Sequence, residues 1–231
     1  MGDEITSRNQ QPYFTFRQVD NSDALNDCYR LRFDVYCVER AFMLPENYHS
    51  GLEIDEFDQF ALHFSAFDRT GATVGTIRLV RPSSLGFPLL QHCQLHDEVI
   101  PDEIVEISRL AVSKNYRRRA ADDIYGITPE QIMIPDPRPE ERRRRPEIVL
   151  GLYKIIYQES KRRGITHWLA AMERSLVRLL WRYGFAFDAI GPEVDYFGPV
   201  TPYIAKIAEI ERDVLAIRPS IFEEFNEGLK S

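Results

Sequence analysis

The chain predicts an α+β fold, a mixed β-sheet flanked by helices. Three observations carry this. Short runs of alternating or continuous apolar residues are bounded by turn residues. Between them lie longer stretches with apolar residues at helical spacing. The resulting order is β-α-β-β-β-(insertion)-α-β-α-β-β, with no internal repeat and no interdomain linker.

Tyr13 to Val19 alternates and is aromatic, so it reads as a first strand. Asn21 to Asp23 offers helix caps. From Ala24 to Ala41, Leu25, Cys28, Leu31, Val35 and Val38 recur at helical spacing and predict a first helix. Phe42 to Leu52, with Pro45, Asn47 and Gly51, reads as a loop that delivers Asp55 and Asp58. His63 to Asp68, a turn at Arg69 to Gly71, and Thr73 to Val80 predict a β-hairpin. Glu103 to Ser113 is the next strand. Pro146 suits the first turn of a helix whose apolar face is Ile148, Leu152, Ile155 and Ile156 and which ends near Gly164. Thr166 to Met172 reads as a buried strand, and Ser175 to Tyr183 as a short helix stopped by Gly184. Phe185 to Ile190 and Pro202 to Ile210 are expected as closing strands, before one or two terminal helices broken at Pro219.

Composition narrows the class. Of 231 residues, 44% are hydrophobic and 28% charged, the usual balance of a globular domain. No stretch approaches a membrane span. Residues 1–12 are polar, lack a secretory h-region and are expected to be a flexible leader to a single domain over 13–231. Three cysteines without CxxC spacing, Cys28, Cys37 and Cys93, argue for buried free thiols in a reducing, cytoplasmic setting. Net charge is −7, yet residues 113–163 carry 13 Lys+Arg against 8 Asp+Glu. An acidic chain with one basic island does not read as a general nucleic-acid binder; the island is either a solvated loop or a dock for an acidic partner. It coincides with a proline- and arginine-rich insertion at about 114–145, long for a loop within a domain.

The candidate chemistry lies on and beside the fourth strand. Glu106 and Arg109 sit three apart on an apolar strand, and Asp55 and Asp58 three apart on the preceding loop. Charges in such places are costly unless they pair or act. Arg78, mid-strand, needs a partner, expected to be Asp55 or Asp58. Residues three apart on a regular strand face opposite sides. Glu106 and Arg109 therefore act together only across a bulge; otherwise each pairs with its own neighbours. His92, Cys93 and His96 lack a supporting ligand pattern, so no metal site is expected. Trp168, Phe185, Phe187 and Leu179 to Trp181 either line an acyl tunnel or are plain core.

The element order resembles that of the GCN5-related N-acetyltransferases (GNAT). Arg32 with Tyr36, Phe42, Asp55 with Asp58, Arg78, and Glu106 with Arg109 resemble, in order and spacing, the acyl-homoserine-lactone (autoinducer) synthases; N-acyl amino acid synthases share that fold. Further phrases resemble acyltransferases associated with the PEP-CTERM/exosortase system: Ser108 to Ser113 followed by Tyr116 to Arg119, Ala171 to Glu173 with Leu179 and Leu180, and Gly191 to Gly198 with Pro202 and Tyr203. The resemblance spans roughly residues 20 to 210. Autoinducer synthases have Trp at Phe42 and Phe at Tyr36, in their amine-substrate region.

This resemblance implies an α/β/α sandwich with a mostly antiparallel central sheet and two splayed parallel strands, here 103–113 and 166–172. A pantetheine arm would enter between them, with backbone N–H groups of Leu110, Ala111 and Val112 near the thioester and a bulge in the fourth strand. Glu106 would be the general base, with Arg109 and Ser108 beside it. Arg32, Tyr36, Phe42, Asp55, Asp58 and Arg78 would form the acceptor region, Asp55 and Asp58 either meeting the amine or ordering Arg32 and Arg78. No permanent cofactor is implied; the donor is an acyl-phosphopantetheine thioester. Arg119 to Asp123 replaces the Gly-rich pyrophosphate turn of coenzyme A users, which favours acyl carrier protein as donor over coenzyme A. Arg117, Arg118, Arg119 and Arg142, Arg143, Arg144, Arg145 would dock that acidic carrier. The leading expectation is an N-acyltransferase acting on a small amino acid-like amine. A lactone synthase using S-adenosylmethionine, or a non-catalytic adaptor of the exosortase system, are its rivals.

Overall fold

A computed structural model of the chain describes residues 12–96, 100–116 and 145–229. Among these, eight strands form one continuous sheet system: β1 (Thr15–Val19), β2 (Ala61–Phe67), β3 (Thr73–Val80), β4 (Ile104–Val112), β5 (His167–Met172), β6 (Asp188–Ala189), β7 (Val194–Asp195) and β8 (Pro199–Lys206). Their spatial order is β1-β2-β3-β4-β5-β8-β6, with β7 paired to β8. Only β4 and β5 run parallel; every other pairing is antiparallel. The helices are α1 (Ser22–Phe33), α2 (Arg145–Arg162), α3 (Arg174–Trp181), α4 (Ile207–Ile217) and α5 (Pro219–Asn226).

Successive β2 residues divide the layers. Ala66 packs in the large core with Ile148, Leu152 and Ile156 of α2, while its neighbour Phe67 packs with Ala24 and Cys28 of α1. Because adjacent strand residues point to opposite faces, α1 covers one side of the sheet and α2, with α4 and α5, the other. The result is the expected sandwich. Asn21 caps α1 by accepting from the Ala24 N–H at 2.9 Å. In α2, Ser160 accepts from the Trp168 indole N–H at 2.9 Å, tying the helix to β5. Trp168, Leu180 and Phe185 are buried in this core, whereas Trp181 is 70% exposed; none of them lines the cavity described below. The three cysteines are free and buried.

Three local expectations are corrected. The first helix does not run regularly to Ala41. After Phe33 it widens into a π-helix over Asp34–Glu39, closed by the Arg40 N–H donating to Val35 C=O at 3.0 Å. The last strand begins earlier and ends at Lys206, opposite His167, where β5 itself begins. Ile207, Ile210 and Val214 then have no strand to pair with, and their helical spacing takes over as α4. The strand expected over 185–190 shrinks to Asp188–Ala189, because Phe185 turns into the core. As expected, the terminal helices break at Pro219, which ends the run of α4 and opens α5.

One glycine fixes how closely α2 lies on β1. A Cβ at Gly151 would stand 2.1 Å from the Phe16 ring. Gly151→Ala is expected to cost about 1–3 kcal/mol through overpacking, despite alanine's better helix propensity; a denaturant midpoint at or above that of the native chain would refute this close approach.

Candidate active site

The site begins with a seam that the sheet leaves open. β4 and β5 pair over only three positions, Ile104 with His167, Val105 with Trp168, and Glu106 with Leu169. Beyond them β4 stays on β3 up to Val112, and β5 stays on β8 up to Met172. The two strands diverge from Glu106 onward. A cavity of ≈ 130 Å³ occupies the divergence, walled by Ser108, Leu110 and Val112 on one side and Ala170 and Met172 on the other. Ser113 N–H donates to Val74 C=O on β3 at 2.9 Å. By strand alternation Val112 turns its backbone to the opposite side, toward the seam. The Leu110 carbonyl accepts from the Tyr36 hydroxyl at 3.0 Å. Ala111 is buried against β3 and α1 and is not part of the cavity wall.

β4 carries a bulge. Its register against β3 shifts between Thr76 and Arg78, and Arg109 opposite this shift has φ 52°, a left-handed backbone rare for a bulky residue. The distortion brings Glu106, Ser108 and Arg109 to the same cavity. Glu106 and Arg109 do not pair with each other. The Glu106 carboxylate accepts the Leu89 N–H at 2.9 Å, and Arg109 donates to Glu53 at 3.1 Å and Asp55 at 3.0 Å. Glu106 is 1% exposed. Burial pushes its carboxyl up to about 8, and the Leu89 N–H and Arg78 offset only part of that.

Behind the cavity lies an ion-pair network of three arginines and three carboxylates. Arg78 donates to Asp55 at 2.7 and 2.8 Å, to Asp58 at 2.6 Å and to the Ser108 hydroxyl at 2.9 Å. Arg32 makes a bidentate pair with Asp58 at 2.7 and 3.1 Å and a further bond to Glu53. Burial opposes ionisation of Asp55, Asp58 and Glu53, yet the arginines outweigh it and hold all three below the ordinary carboxylate range. Arg32, Asp55, Asp58 and Arg78 are not among the cavity-lining residues. The pairing of Asp55 and Asp58 with Arg32 and Arg78 is the ordering role expected for them. Their polar groups are spent on one another, and they hold β4 and the 53–58 loop in place.

Tyr36 and Phe42 do line the cavity. The π-helix and the turn at Ala41, φ 51°, fold the chain back so that the Phe42 N–H donates to Tyr36 C=O at 2.8 Å. Arg109 lies over the rings of Phe197 and Tyr36, 5.2 and 5.9 Å from their centroids. Arg145, at the start of α2, also lines the cavity. Arg117, Arg118, Arg119, Arg142, Arg143 and Arg144 lie outside the described residues. Glu53 and Arg40 are site residues that sequence reasoning passed over, while Glu173, Tyr196 and Phe197 lie in phrases quoted for the resemblance but were given no site role. His92 stacks on Tyr196 at 4.0 Å, and no cluster of metal-ligating groups occurs among the described residues.

Residues 31–125 match the family described as Acetyltransferase (GNAT) domain. Solved structures similar to this chain include BjaI, a CoA-dependent acyl-homoserine lactone synthase held with SAM and isopentyl-CoA, at 19% identity over 89% of this chain and 81% of that one, TM-score 0.57. TofI, in a ternary complex with an inhibitor and MTA, is similar at 17% identity over 91% and 100%, TM-score 0.63. FeeM, an N-acyl amino acid synthase from uncultured soil microbes, is similar at 14% identity over 90% and 98%, TM-score 0.57. No curated protein matches the chain. Among the described residues no helix is long and apolar enough to cross a membrane.

Proposed function

We propose that this chain is a GNAT-type N-acyltransferase that moves a fatty acyl group from a thioester to the amine of a small amino acid-like acceptor. The observation that supports it most is the seam diverging from Glu106, with that buried carboxyl at its apex and a cavity between the strand walls. An extended pantetheine arm fits such a seam as an added strand, pairing with the Val112 backbone.

Amide formation needs a neutral amine, a polarised carbonyl and a thiol that leaves protonated. Glu106, raised to about 8 by burial, is a far better proton acceptor than an ordinary carboxylate, which brings it closer to the basicity of an amine. The amine nitrogen attacks the thioester carbon and the C–S bond breaks. One proton leaves the nitrogen and one ends on the departing thiol, with no change of oxidation state. Arg109 and Ser108 are positioning groups in this reading. Arg109 is held by Glu53 and Asp55, and Ser108 by Arg78.

Acyl carrier protein is the proposed donor, on the strength of the arginines at 117–119 and 142–145 and the missing Gly-rich turn. Replacing Arg142 to Arg145 with alanine is expected to raise the apparent KM for acyl carrier protein, and the native KM should climb with salt. A KM indifferent to both would leave coenzyme A as the donor. A second reading, lactone synthesis from S-adenosylmethionine, is favoured by the similarity to BjaI; Tyr36 and Phe42 in the cavity wall weigh against it. Consumption of S-adenosylmethionine by the pure protein would decide for it. The deciding experiment for the main reading is mass spectrometry of lipid extracts from cells overproducing the chain. A new N-acyl product names donor length and acceptor together. Extracts without one, combined with no thioester consumption from either donor in vitro, overturn the reading and favour an adaptor.

A further inference from the structure

Three guanidinium and two carboxyl side chains line the cavity: Arg40, Arg109, Arg145, Glu106 and Glu173. Arg109 is committed to Glu53 and Asp55, and Arg145 has partners of its own. Arg40 differs. It is half-buried, and its guanidinium meets the Phe42 ring, 5.8 Å from the centroid; among the described residues no carboxylate lies within ion-pairing distance of it. A half-buried guanidinium in a cavity wall with no anion is an incomplete pair. Its placement is also structurally expensive. The π-helix over Asp34–Glu39 and the left-handed Ala41 aim Arg40, Tyr36 and Phe42 at one cavity, and both features are disfavoured by intrinsic backbone preference.

We propose that Arg40 binds the carboxylate of a free α-amino acid acceptor in this cavity, and so makes the enzyme select amino acids over simple amines. This rests on the N-acyltransferase reading. The planar fork of Arg40 pairs with the two carboxylate oxygens, Phe42 supports the guanidinium from beneath, and the amine of the same molecule is left for Glu106. A phosphate of the donor is the other anion that suits a guanidinium. Arg40 projects from the α1 side with Tyr36 and Phe42, however, whereas Arg145 heads α2 beside the divergent end of the seam where a donor arm would enter.

The test compares matched acceptors with one acyl thioester: tyrosine against tyramine, tryptophan against tryptamine, leucine against isoamylamine. In the native chain, kcat/KM is expected to favour at least one amino acid over its decarboxylated amine by on the order of 10–100-fold, the range of a charge-assisted bidentate pair. In Arg40→Met that ratio should collapse toward one, and Arg40→Lys should restore part of it. Each ratio is taken within one variant, so it does not depend on how much of that variant folds. Native ratios near one, or a ratio unchanged in Arg40→Met, overturn the role of Arg40 while leaving the acyltransferase reading intact. A rise in KM for the thioester alone assigns Arg40 to the donor phosphate and also overturns it. Absence of any N-acyl product from the native chain defeats the parent reading and this one with it.

Discussion

Glu106→Gln is expected to lower turnover by about 10²–10⁴-fold, the usual contribution of a positioned general base. The substitution suits the question because glutamine keeps the shape and its carbonyl oxygen can still accept the Leu89 N–H that the native carboxylate takes at 2.9 Å. Loss of activity with an intact fold therefore isolates the proton. Two pH signatures accompany it. In the native chain kcat/KM for the acyl donor should rise with pH through an apparent pKa near 8, because burial holds Glu106 protonated below that point. In the glutamine variant that limb should vanish; a limb that survives belongs to the acceptor amine and removes Glu106 from the base role. Stability gives the second signature. A carboxyl whose folded pKa is raised contributes most below its unfolded value, and that contribution is lost as pH rises through about 8. Glu106→Gln should accordingly gain stability relative to the native chain as pH climbs from about 5 to 9.

Arg78→Met is expected to cost about 3–5 kcal/mol of folding stability, the range for breaking one member out of a buried ion-pair cluster. Arg78 is 1% exposed and bonded to Asp55, Asp58 and Ser108. Methionine fills much of the volume, so the loss is electrostatic: three carboxylates are left with two cations. The pH dependence is specific. Asp55, Asp58 and Glu53 are held below the ordinary range in the native chain, so their contribution is full above the unfolded carboxylate pKa of about 4 and fades as pH falls below it. In the variant the surplus carboxylate neutralises more easily, and the gap between the two proteins should narrow on acidification. A cost below about 1 kcal/mol at pH 7 in urea titration would mean that the cluster is solvated and adds little.

Much of the architecture was legible because it rests on periodicity and punctuation. The hairpin of β2 and β3 was marked by Arg69 to Gly71, and the stops of α2 and α3 by Gly164 and Gly184. The misreadings share a cause, which is that pairing partners are non-local. Ile207 to Ile210 is as apolar as a strand, and only the end of β5 at His167 makes it a helix. The bulge was inferred from the need to bring Glu106 and Arg109 together; its location at Arg109, and the commitment of Arg109 to Glu53 and Asp55, had no signal in the spacing. Glu53 was missed because a single loop glutamate looks like any solvated one. Nothing local shows that the Arg32 side chain, 21 positions earlier, closes over it. Arg40 was hidden by the π-helix, which shifts its direction from the one an α-helix would give.

Three positive and three negative groups locked together have a consequence for how such a protein diversifies. Exchange of any one member for a neutral residue leaves an orphan charge, so single changes of that kind are costly. Substitutions in the cavity are then steered away from Arg109 and its partners Arg32, Glu53, Asp55, Asp58 and Arg78, and toward wall positions outside the network such as Arg40. An electroneutral foundation thus holds the bulged strand while leaving part of the cavity wall outside its constraints.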